Sequence, residues 1–313
     1  MPYLFVHFRE RISPDGEQVY FGLSRDGFRW EAVNEGRPVL WAYHGDYGVR
    51  DMTIVRSVYD GRVHIFATDL SLSLGMRNQY KGSWAEIGRH GRRDLAHWVS
   101  EDLVNWSEQE LISLGGEPFG CMWAPDALFD RATGEYLLHF SASNAADDYR
   151  SKCIWVSRTK DFSHFSAPEK WFSREGGDVI DSAAYEEDGR YYLFVKSVHD
   201  PFGVMLLRSD SAAGPWERVK AFEESTLADQ GEKYEGPTAL RLPDGRWVLF
   251  MDFFGVFGRG QGYVPFVADS LASGVFRRSD ADFSFPYKFK HGTVLPISEE
   301  EYERLRRAEW KVD

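Results

Sequence analysis

Short apolar runs recur along most of the chain, and each one ends at a turn signal. Four segments share one pattern, an apolar strand, a turn with Asp-Gly or Thr-Gly, and a second apolar strand. Their flanks are rich in β-branched and aromatic residues, as is typical of β-strands. The pattern therefore predicts four β-hairpins, because glycine at such turns permits the left-handed backbone that hairpins need. The four segments are 52–69, 126–143, 182–197 and 237–254.

A second pattern, a strand followed by a polar turn and an aromatic residue, occurs five times, at 23–30, 99–106, 156–165, 208–216 and 267–276. Alternation of the two patterns indicates a repeat architecture. The missing fifth hairpin forms if "HGTVLPIS" (291–298) pairs with "YLFVHF" (3–8). The prediction is an all-β fold, a five-bladed β-propeller closed by its N- and C-terminal strands, with residues 1–313 as a single domain.

Two segments do not fit the repeats. Residues 71–98 form a long insertion, which we expect to be a loop near the mouth of the central channel. The tail 298–313 has helical spacing, and Ser298 stands three residues before Glu301 in a capping-box pattern. The tail is therefore predicted to form a short C-terminal helix.

Composition narrows the classes of partner. Aromatic residues make up 16% of the chain, which suits strands and sugar-stacking surfaces, and the formal charge of −12 disfavours nucleic acid and anionic membranes. Cys121 and Cys153 are expected to be buried thiols, since two cysteines form no disulfide framework in a chain of this size. The N-terminal residues have no secretory pattern and no run reaches membrane-spanning length, so a cytoplasmic location is expected.

Polar residues cluster where the predicted inner strands begin. Since the first strand of each blade lines the channel, the residues opening these strands should converge at one end of it. Packed carboxylates raise one another's pKa, and glycoside hydrolysis uses a proton-donating acid together with a carboxylate that activates water. The alternative is that each acid caps a strand or binds backbone amides. The residues concerned are Asp51, Trp123 with Asp126, Asp181, Glu235 and His291.

The motifs "GVRDMTI", "MWAPDALFD", "VIDSAAY", "YEGPTAL" and "KHGTVLPI" together resemble glycoside hydrolase family 43, whose members are inverting five-bladed propellers. The resemblance implies that Asp51 is the general base and Glu235 the general acid. Asp181 would modulate the pKa of the acid and orient it. His291 matches a histidine near the channel axis that lies beside a bound cation or its waters in some members, so no cofactor is required, but Ca²⁺ or another cation near His291 is a candidate.

The chain departs from the family pattern at two positions. Met52 stands where the family usually has proline, and Asp126 stands where Glu or Gln is common, so Asp126 is assigned to structure or substrate binding. Further substrate-binding candidates are the aromatic residues Trp123, Trp84 and Phe254, for which core packing is the alternative, and Arg259, which could instead lie on a solvated loop. His291 is a candidate for both substrate and metal.

The expected function is an exo-acting, inverting α-L-arabinofuranosidase on carbohydrate side chains. A β-xylosidase, a β-galactofuranosidase and a non-catalytic sugar-binding propeller remain alternatives, because pocket loops decide the sugar. Dinucleotide and P-loop fingerprints, a G-x-S-x-G elbow and H-E-x-x-H are all absent. A retaining fructosidase-like propeller would need an Asn-Asp-Pro-Asn segment, which the chain lacks.

Overall fold

The computed structural model of the chain describes residues 1–114, 118–199, 202–227, 233–255 and 262–310. Twenty strands form five separate antiparallel sheets of four strands each. In chain order the strands are β1 (Tyr3–Phe8), β2 (Tyr20–Ser24), β3 (Glu31–Ala32), β4 (Val49–Arg56), β5 (Val63–Asp69), β6 (Asp94–Ser100), β7 (Glu110–Ser113), β8 (Trp123–Asp130), β9 (Glu135–Ser143), β10 (Lys152–Thr159), β11 (Glu169–Phe172), β12 (Val179–Glu187), β13 (Arg190–Ser197), β14 (Gly203–Ser209), β15 (Glu217–Arg218), β16 (Tyr234–Arg241), β17 (Trp247–Phe253), β18 (Gly262–Ala268), β19 (Arg277–Arg278) and β20 (Lys290–Pro296).

The sheets are the blades of a five-bladed β-propeller, as predicted. Blade 1 has the order β20-β1-β2-β3, and blades 2 to 5 are β4 to β7, β8 to β11, β12 to β15 and β16 to β19. The inner strands β20, β4, β8, β12 and β16 contact one another in circular order around the channel. The predicted closure is confirmed, because β1 pairs with β20 from Tyr3 opposite Pro296 to Val6 opposite Thr293.

The hydrophobic core is divided into five large clusters, one between each pair of neighbouring blades. Between blades 5 and 1, for example, Phe5 packs against Phe250 with ring centroids 5.6 Å apart. Each sheet is thus covered on both faces, which explains why the strands are apolar on both sides rather than alternating. The buried state of Cys121 and Cys153 is confirmed.

The helices are few and lie outside the sheets. They are α1 (Leu72–Asn78), α2 (Trp84–His90), α3 (Lys220–Phe222), which continues as a π-helical turn over Glu223–Leu227, and α4 (Glu299–Arg307); short 3₁₀ turns cover Asn34–Gly36, Ala145–Asp147 and Asp280–Asp282. Among the described residues, no helix has the length and apolar character needed to cross a bilayer.

The insertion at 71–98 lies at the predicted end of the channel, but its secondary structure differs from the prediction. It folds into α1 and α2 rather than a loop, and its last residues belong to β6 of blade 2. Both helices begin at serine caps, Ser71 and Ser83, whose side chains accept backbone hydrogen bonds. Because β5 ends at Asp69, opposite the first residue of β4, the insertion starts at the end of the channel where the inner strands begin. This end is called the channel mouth below.

The predicted C-terminal helix is confirmed as α4. Ser298 and Glu301 form the complete capping box, and Tyr302 and Leu305 are buried in the core between blades 1 and 2. Arg56, at the last position of β4, pairs with Glu301 at 2.8 Å. The helix therefore covers the end of the propeller opposite the channel mouth.

Candidate active site

Every inner strand carries a β-bulge at the same height near the channel mouth. In each blade the hydrogen-bond register with the second strand shifts, because the inner strand has one extra residue there. Four of the bulges contain a residue with left-handed backbone, namely Asp51 (φ 49°), Ala124 (φ 47°), Asp181 (φ 54°) and Gly236 (φ 52°). Bulges redirect side chains, and such conformations persist where the surroundings hold them, so these positions mark a built site.

The register places the predicted site residues on two successive levels. His291, Asp51 and Asp181 occupy the second bulge position of blades 1, 2 and 4, where blades 3 and 5 have Ala124 and Gly236. Glu235 occupies the first position, one residue earlier. Gly236 takes the left-handed position of this bulge, so Glu235 is not at the position that Asp51 and Asp181 hold in their blades.

Hydrogen bonds between blades hold the bulges in place. The backbone N–H of Ala124 donates to Thr68 Oγ1 at 2.8 Å, and that of Asp181 donates to Ser141 Oγ at 2.9 Å. The N–H of Gly236 donates to Asp181 Oδ2 at 3.2 Å. Each acceptor lies on the preceding blade, so the position of each bulge depends on its neighbour. Asp181 in particular is tied to the peptide that follows Glu235.

Asp51 and His291 form an ion pair at the closure of the ring. His291 Nδ1 lies 3.3 Å from Asp51 Oδ1, and Thr68 Oγ1 donates to Asp51 Oδ2 at 3.2 Å. Burial raises the pKa of Asp51, but the hydrogen bond and charge of His291, with Arg50 and Thr68, outweigh burial and hold this pKa below its usual range. Burial lowers the pKa of His291, whereas the hydrogen bond and charge of Asp51 bring it to about 9. Near neutral pH, Asp51 is therefore a carboxylate beside an imidazolium.

Asp181 has the opposite electrostatic character. It is buried, and burial together with the negative charge of Glu235 raises its pKa to about 6, although His291 acts in the other direction. Repulsion by the Asp51 carboxylate raises the pKa of Asp181 further. The structure thus brings the three predicted carboxylates together and shifts the pKa values of Asp51 and Asp181 in opposite directions, which allows these two to have different roles.

Glu235 has a cationic partner that the sequence analysis missed. Lys196, on the second strand of blade 4, places its Nζ 2.6 Å from Glu235 Oε2 and 4.4 Å from the ring centroid of Phe254. Only about a tenth of the Lys196 side chain is exposed. The signal available in the sequence was a lysine inside the apolar strand "YYLFVKS", since an isolated buried ammonium is costly and needs a counter-charge.

A second buried ion pair supports the mouth between blades 5 and 1. Lys290 Nζ lies 2.9 Å from Asp252 Oδ1, and the N–H of His291 donates to Asp252 Oδ2 at 3.3 Å. Glu10 also reaches Lys290 at 3.2 Å. These residues, which the sequence analysis did not single out, fix the backbone on either side of His291.

Of the predicted aromatic residues, Trp84 and Trp123 lie together beside the mouth, and Phe254 lies at blade 5. Trp84, the first residue of α2, is half-exposed, and its ring centroid lies 6.1 Å from that of Trp123 at 80°. Trp123 occupies the first bulge position of blade 3 and packs against the small apolar cluster under the insertion helices. Phe254 contacts Lys196 beside Glu235. Arg259 lies outside the described residues.

Asp126 lies deeper along its strand than the bulge. Its Oδ1 accepts hydrogen bonds from Thr53 Oγ1 at 2.7 Å and from the N–H of Ala127 at 2.8 Å, and burial raises its pKa to about 6. These contacts join blades 2 and 3. Its role in substrate binding stays a prediction, and its contacts are those of a structural residue.

The described side chains near His291 do not form a set of ligands for the predicted cation. Within the described ranges, no three His, Cys, Asp or Glu side chains come together as a metal-binding group. His291 directs Nδ1 to Asp51, and a protonated imidazole does not ligate a metal. The described residues therefore do not fit a directly bound cation.

The fold and the acid cluster at the channel mouth define a glycoside hydrolase of the five-bladed propeller class. A family model described as a probable glycosyl hydrolase domain, related to glycoside hydrolase family 43, matches residues 1–303, and the chain belongs to this family.

Individual relatives show how far the likeness extends. An α-L-arabinofuranosidase of Bifidobacterium longum subsp. longum is 27% identical over 208 residues, which are 60% of this chain and 19% of that protein. The chain thus matches about a fifth of the length of this curated relative.

Two solved structures share the fold. An endo-1,4-β-xylanase of Bacteroides thetaiotaomicron superposes with a TM-score of 0.60 at 16% identity, covering 89% of this chain and 90% of that one. An engineered family 43 enzyme with endo-xylanase and exo-arabinofuranosidase activity has a TM-score of 0.59 at 17% identity, covering 95% of this chain and 52% of that one. At these identities the likeness establishes the architecture, and the sugar has to be argued separately.

Proposed function

We propose that this glycoside hydrolase cleaves its substrate with inversion, using Glu235 as general acid and Asp51 as general base. The observation that carries the proposal is the convergence of Asp51, Asp181 and Glu235 at one channel mouth, with a low pKa for Asp51 and a raised pKa for Asp181. A base has to be ionised at the start of the reaction, and the imidazolium of His291 keeps Asp51 in that form.

The proposed reaction is a single displacement at the anomeric carbon. Glu235 transfers its proton to the glycosidic oxygen while the carbon–oxygen bond breaks and its electron pair goes to that oxygen. Water attacks the opposite face, and Asp51 takes the proton that water loses. An inverting enzyme leaves room for this water, so the two carboxyl groups are expected about 6.5–9.5 Å apart.

Asp181 is proposed to orient the acid rather than to react. Its Oδ2 accepts the N–H of Gly236, the residue directly after Glu235. A hydrogen bond at this point fixes the direction in which the Glu235 side chain leaves the bulge. The negative charge of Glu235 is also one cause of the raised pKa of Asp181.

For the substrate we propose a terminal α-L-arabinofuranosyl side chain of an oligosaccharide or polysaccharide, removed in exo fashion. The match to the Bifidobacterium longum arabinofuranosidase supports the sugar. The insertion helices, which bring Trp84 beside Trp123 at one side of the mouth, support exo action because they limit the space there. A cytoplasmic location stays a prediction.

The test is hydrolysis of a panel of aryl glycosides by the wild type, Glu235→Gln, Asp51→Asn and the control Glu217→Gln, an exposed glutamate of blade 4. The panel contains α-L-arabinofuranoside, β-D-xyloside, β-D-galactofuranoside and β-D-galactopyranoside. We expect activity on the arabinofuranoside, a loss of about 10²–10⁴-fold in the two site variants and none in the control.

NMR of the first-formed sugar gives the stereochemistry, and inversion is expected. Activity on the xyloside or galactofuranoside alone would replace the proposed sugar and keep the mechanism. An inactive wild type would favour a sugar-binding propeller, and full activity in Glu235→Gln would refute the assignment of the acid.

A further inference from the structure

The ammonium group of Lys196 lies in an unexpected position for a cation, directly beside the proposed proton donor. It lies 2.6 Å from the carboxylate oxygen of Glu235, the residue proposed above as proton donor. A general acid has to carry a proton before it can donate one, whereas a lysine at this distance favours the ionised carboxylate. The pair therefore needs an explanation beyond the neutralisation of a buried charge.

The structural support of Lys196 indicates a fixed contact. In blade 4, Lys196 pairs with Ile180, the residue directly before Asp181. The Lys196 backbone therefore lies beside the bulge that contains Asp181. The ammonium crosses from blade 4 to blade 5 and packs over Phe254. A mostly buried lysine that packs over an aromatic ring and forms a short ion pair has little freedom to leave Glu235.

Within the part of the chain that the structure describes, Lys196 is the cation in direct contact with the proton donor. Asp252 is the strand partner of Glu235, but its carboxylate is neutralised by Lys290 at 2.9 Å. Asp181 carries the raised pKa described above. Among the described residues, the charged and titratable groups that interact with Glu235 or with its two acidic neighbours are Lys196 on β13, Asp51 on β4, Asp181 on β12, Asp252 on β17, Tyr263 on β18, and Lys290 and His291 on β20.

We propose that Lys196 is a positioning residue for Glu235 that stabilises the carboxylate formed when Glu235 gives up its proton. The inference rests on the proposed function. Negative charge develops on Glu235 as the glycosidic oxygen is protonated, so an ammonium already in place favours the transition state over the ground state. The same contact favours loss of the proton from the resting enzyme, and it thereby limits activity at high pH.

The experiment compares Lys196→Met, Lys196→Gln, Lys196→Arg, Glu235→Gln and the double variant Lys196→Met/Glu235→Gln. Profiles of kcat/KM against pH are measured on the preferred sugar with a poor leaving group, phenol, and a good one, 2,4-dinitrophenol. A poor leaving group needs the proton of Glu235, whereas a good one departs largely without it. Thermal unfolding identifies any variant that does not fold. If either Lys196→Met or Lys196→Gln fails to fold, the other one is used for the test.

The neutral variants are expected to lose about tenfold or more in kcat/KM on the phenyl glycoside and little on the dinitrophenyl glycoside. Their alkaline limb should move to higher pH, while Lys196→Arg should keep most of the activity and the wild-type limb. In the Glu235→Gln background, Lys196→Met should change the rate less than twofold, because residues acting as a unit are not additive.

Two results would overturn the inference: an unchanged alkaline limb in both neutral variants, or an equal loss from Lys196→Met with and without Glu235. A purely structural Lys196 would lower both leaving-group rates together. If Glu235→Gln itself leaves the phenyl glycoside rate unchanged, the proposed function fails first, and the two failures are thereby distinguished.

Discussion

His291 Nδ1 lies 3.3 Å from Asp51 Oδ1, across the junction where the C-terminal inner strand of blade 1 meets blade 2. The two residues hold the same bulge position in neighbouring blades although they are far apart in the chain. Closing the ring therefore also assembles the ion pair. The charges of the pair affect the pKa of Asp51, the proposed base, and the stability of the contact between blades 1 and 2.

Removing the cation should move the acid limb of activity. In His291→Gln, Asp51 loses the partner that holds its pKa below the usual range, so the acid limb of kcat/KM should shift to higher pH. The pH profile on the preferred aryl glycoside measures the shift. His164→Gln, at an exposed turn of blade 3, is the matched control, and an unchanged limb in both variants would contradict the proposed role of His291.

The same pair should make stability depend on pH above neutrality. The pKa of His291 is about 9 in the folded protein against 6.5 in the unfolded chain. The stabilisation is therefore complete below about pH 6.5 and is lost as the pH rises through about 9, on the order of 3 kcal/mol. Urea unfolding at pH 7.5, 8.25 and 9 should show this loss in the wild type and in His164→Gln, and a flatter dependence in His291→Gln. The buried acids with pKa near 6 and the buried histidines with pKa near 3 or 4 affect stability mainly below this range, so they do not mask the loss.

Thr68 should matter for both stability and rate. Its hydroxyl donates to Asp51 and accepts the N–H of Ala124, so Thr68→Val leaves a buried amide without its partner at a bulge. We expect a destabilisation of about 1–3 kcal/mol in urea unfolding. A lower kcat should accompany it, since Asp51 loses one of its two fixed contacts. Thr133→Val, which removes a hydrogen bond to Asp130 at the turn between β8 and β9, controls for the loss of a threonine hydroxyl away from the site and should leave kcat nearly unchanged; an equal effect on kcat there would rule out a specific role for Thr68.

Trp84 should contribute to substrate affinity more than to folding. Its ring is half-exposed, so Trp84→Ala should change the melting temperature little and raise KM for an arabino-oligosaccharide about tenfold, or about 1.4 kcal/mol. Tyr59→Ala, an exposed aromatic residue at the hairpin between β4 and β5 on the opposite end of the channel, is the control. A KM unchanged by Trp84→Ala would remove this residue from the substrate site.

Metal removal should leave the activity intact. With His291 protonated and directed at Asp51, the proposed reaction uses only side chains and water. Activity after dialysis against EDTA is therefore expected to equal that of the untreated enzyme. A loss that CaCl₂ restores would instead place a cation in the channel and would revise the role given to His291.

Much of the fold was predictable because it depends on local signals. Asp60-Gly61, Thr133-Gly134, Asp188-Gly189 and Asp244-Gly245 all lie at turns between the first and second strands of blades, where glycine supplies the positive φ. Since the chain contains four such hairpins and five copies of the second pattern, the fifth hairpin was predicted to form from the N- and C-terminal strands. The insertion was misjudged as a loop, because its two helices are short and their stability comes from packing, as in the cluster of Leu70, Tyr80 and Ile87.

The sequence by itself determined which residues open the inner strands, and so it identified Asp51, Asp181, Glu235 and His291 as a group. Only the tertiary structure decided their levels, partners and charges. A bulge takes its register from the paired strand, and its amide bonds to a side chain of the preceding blade, as Ala124 does to Thr68. Lys196 likewise finds Glu235 across a blade boundary. Such contacts join segments that are distant in the chain, so the local pattern of hydrophobic and polar residues does not predict them.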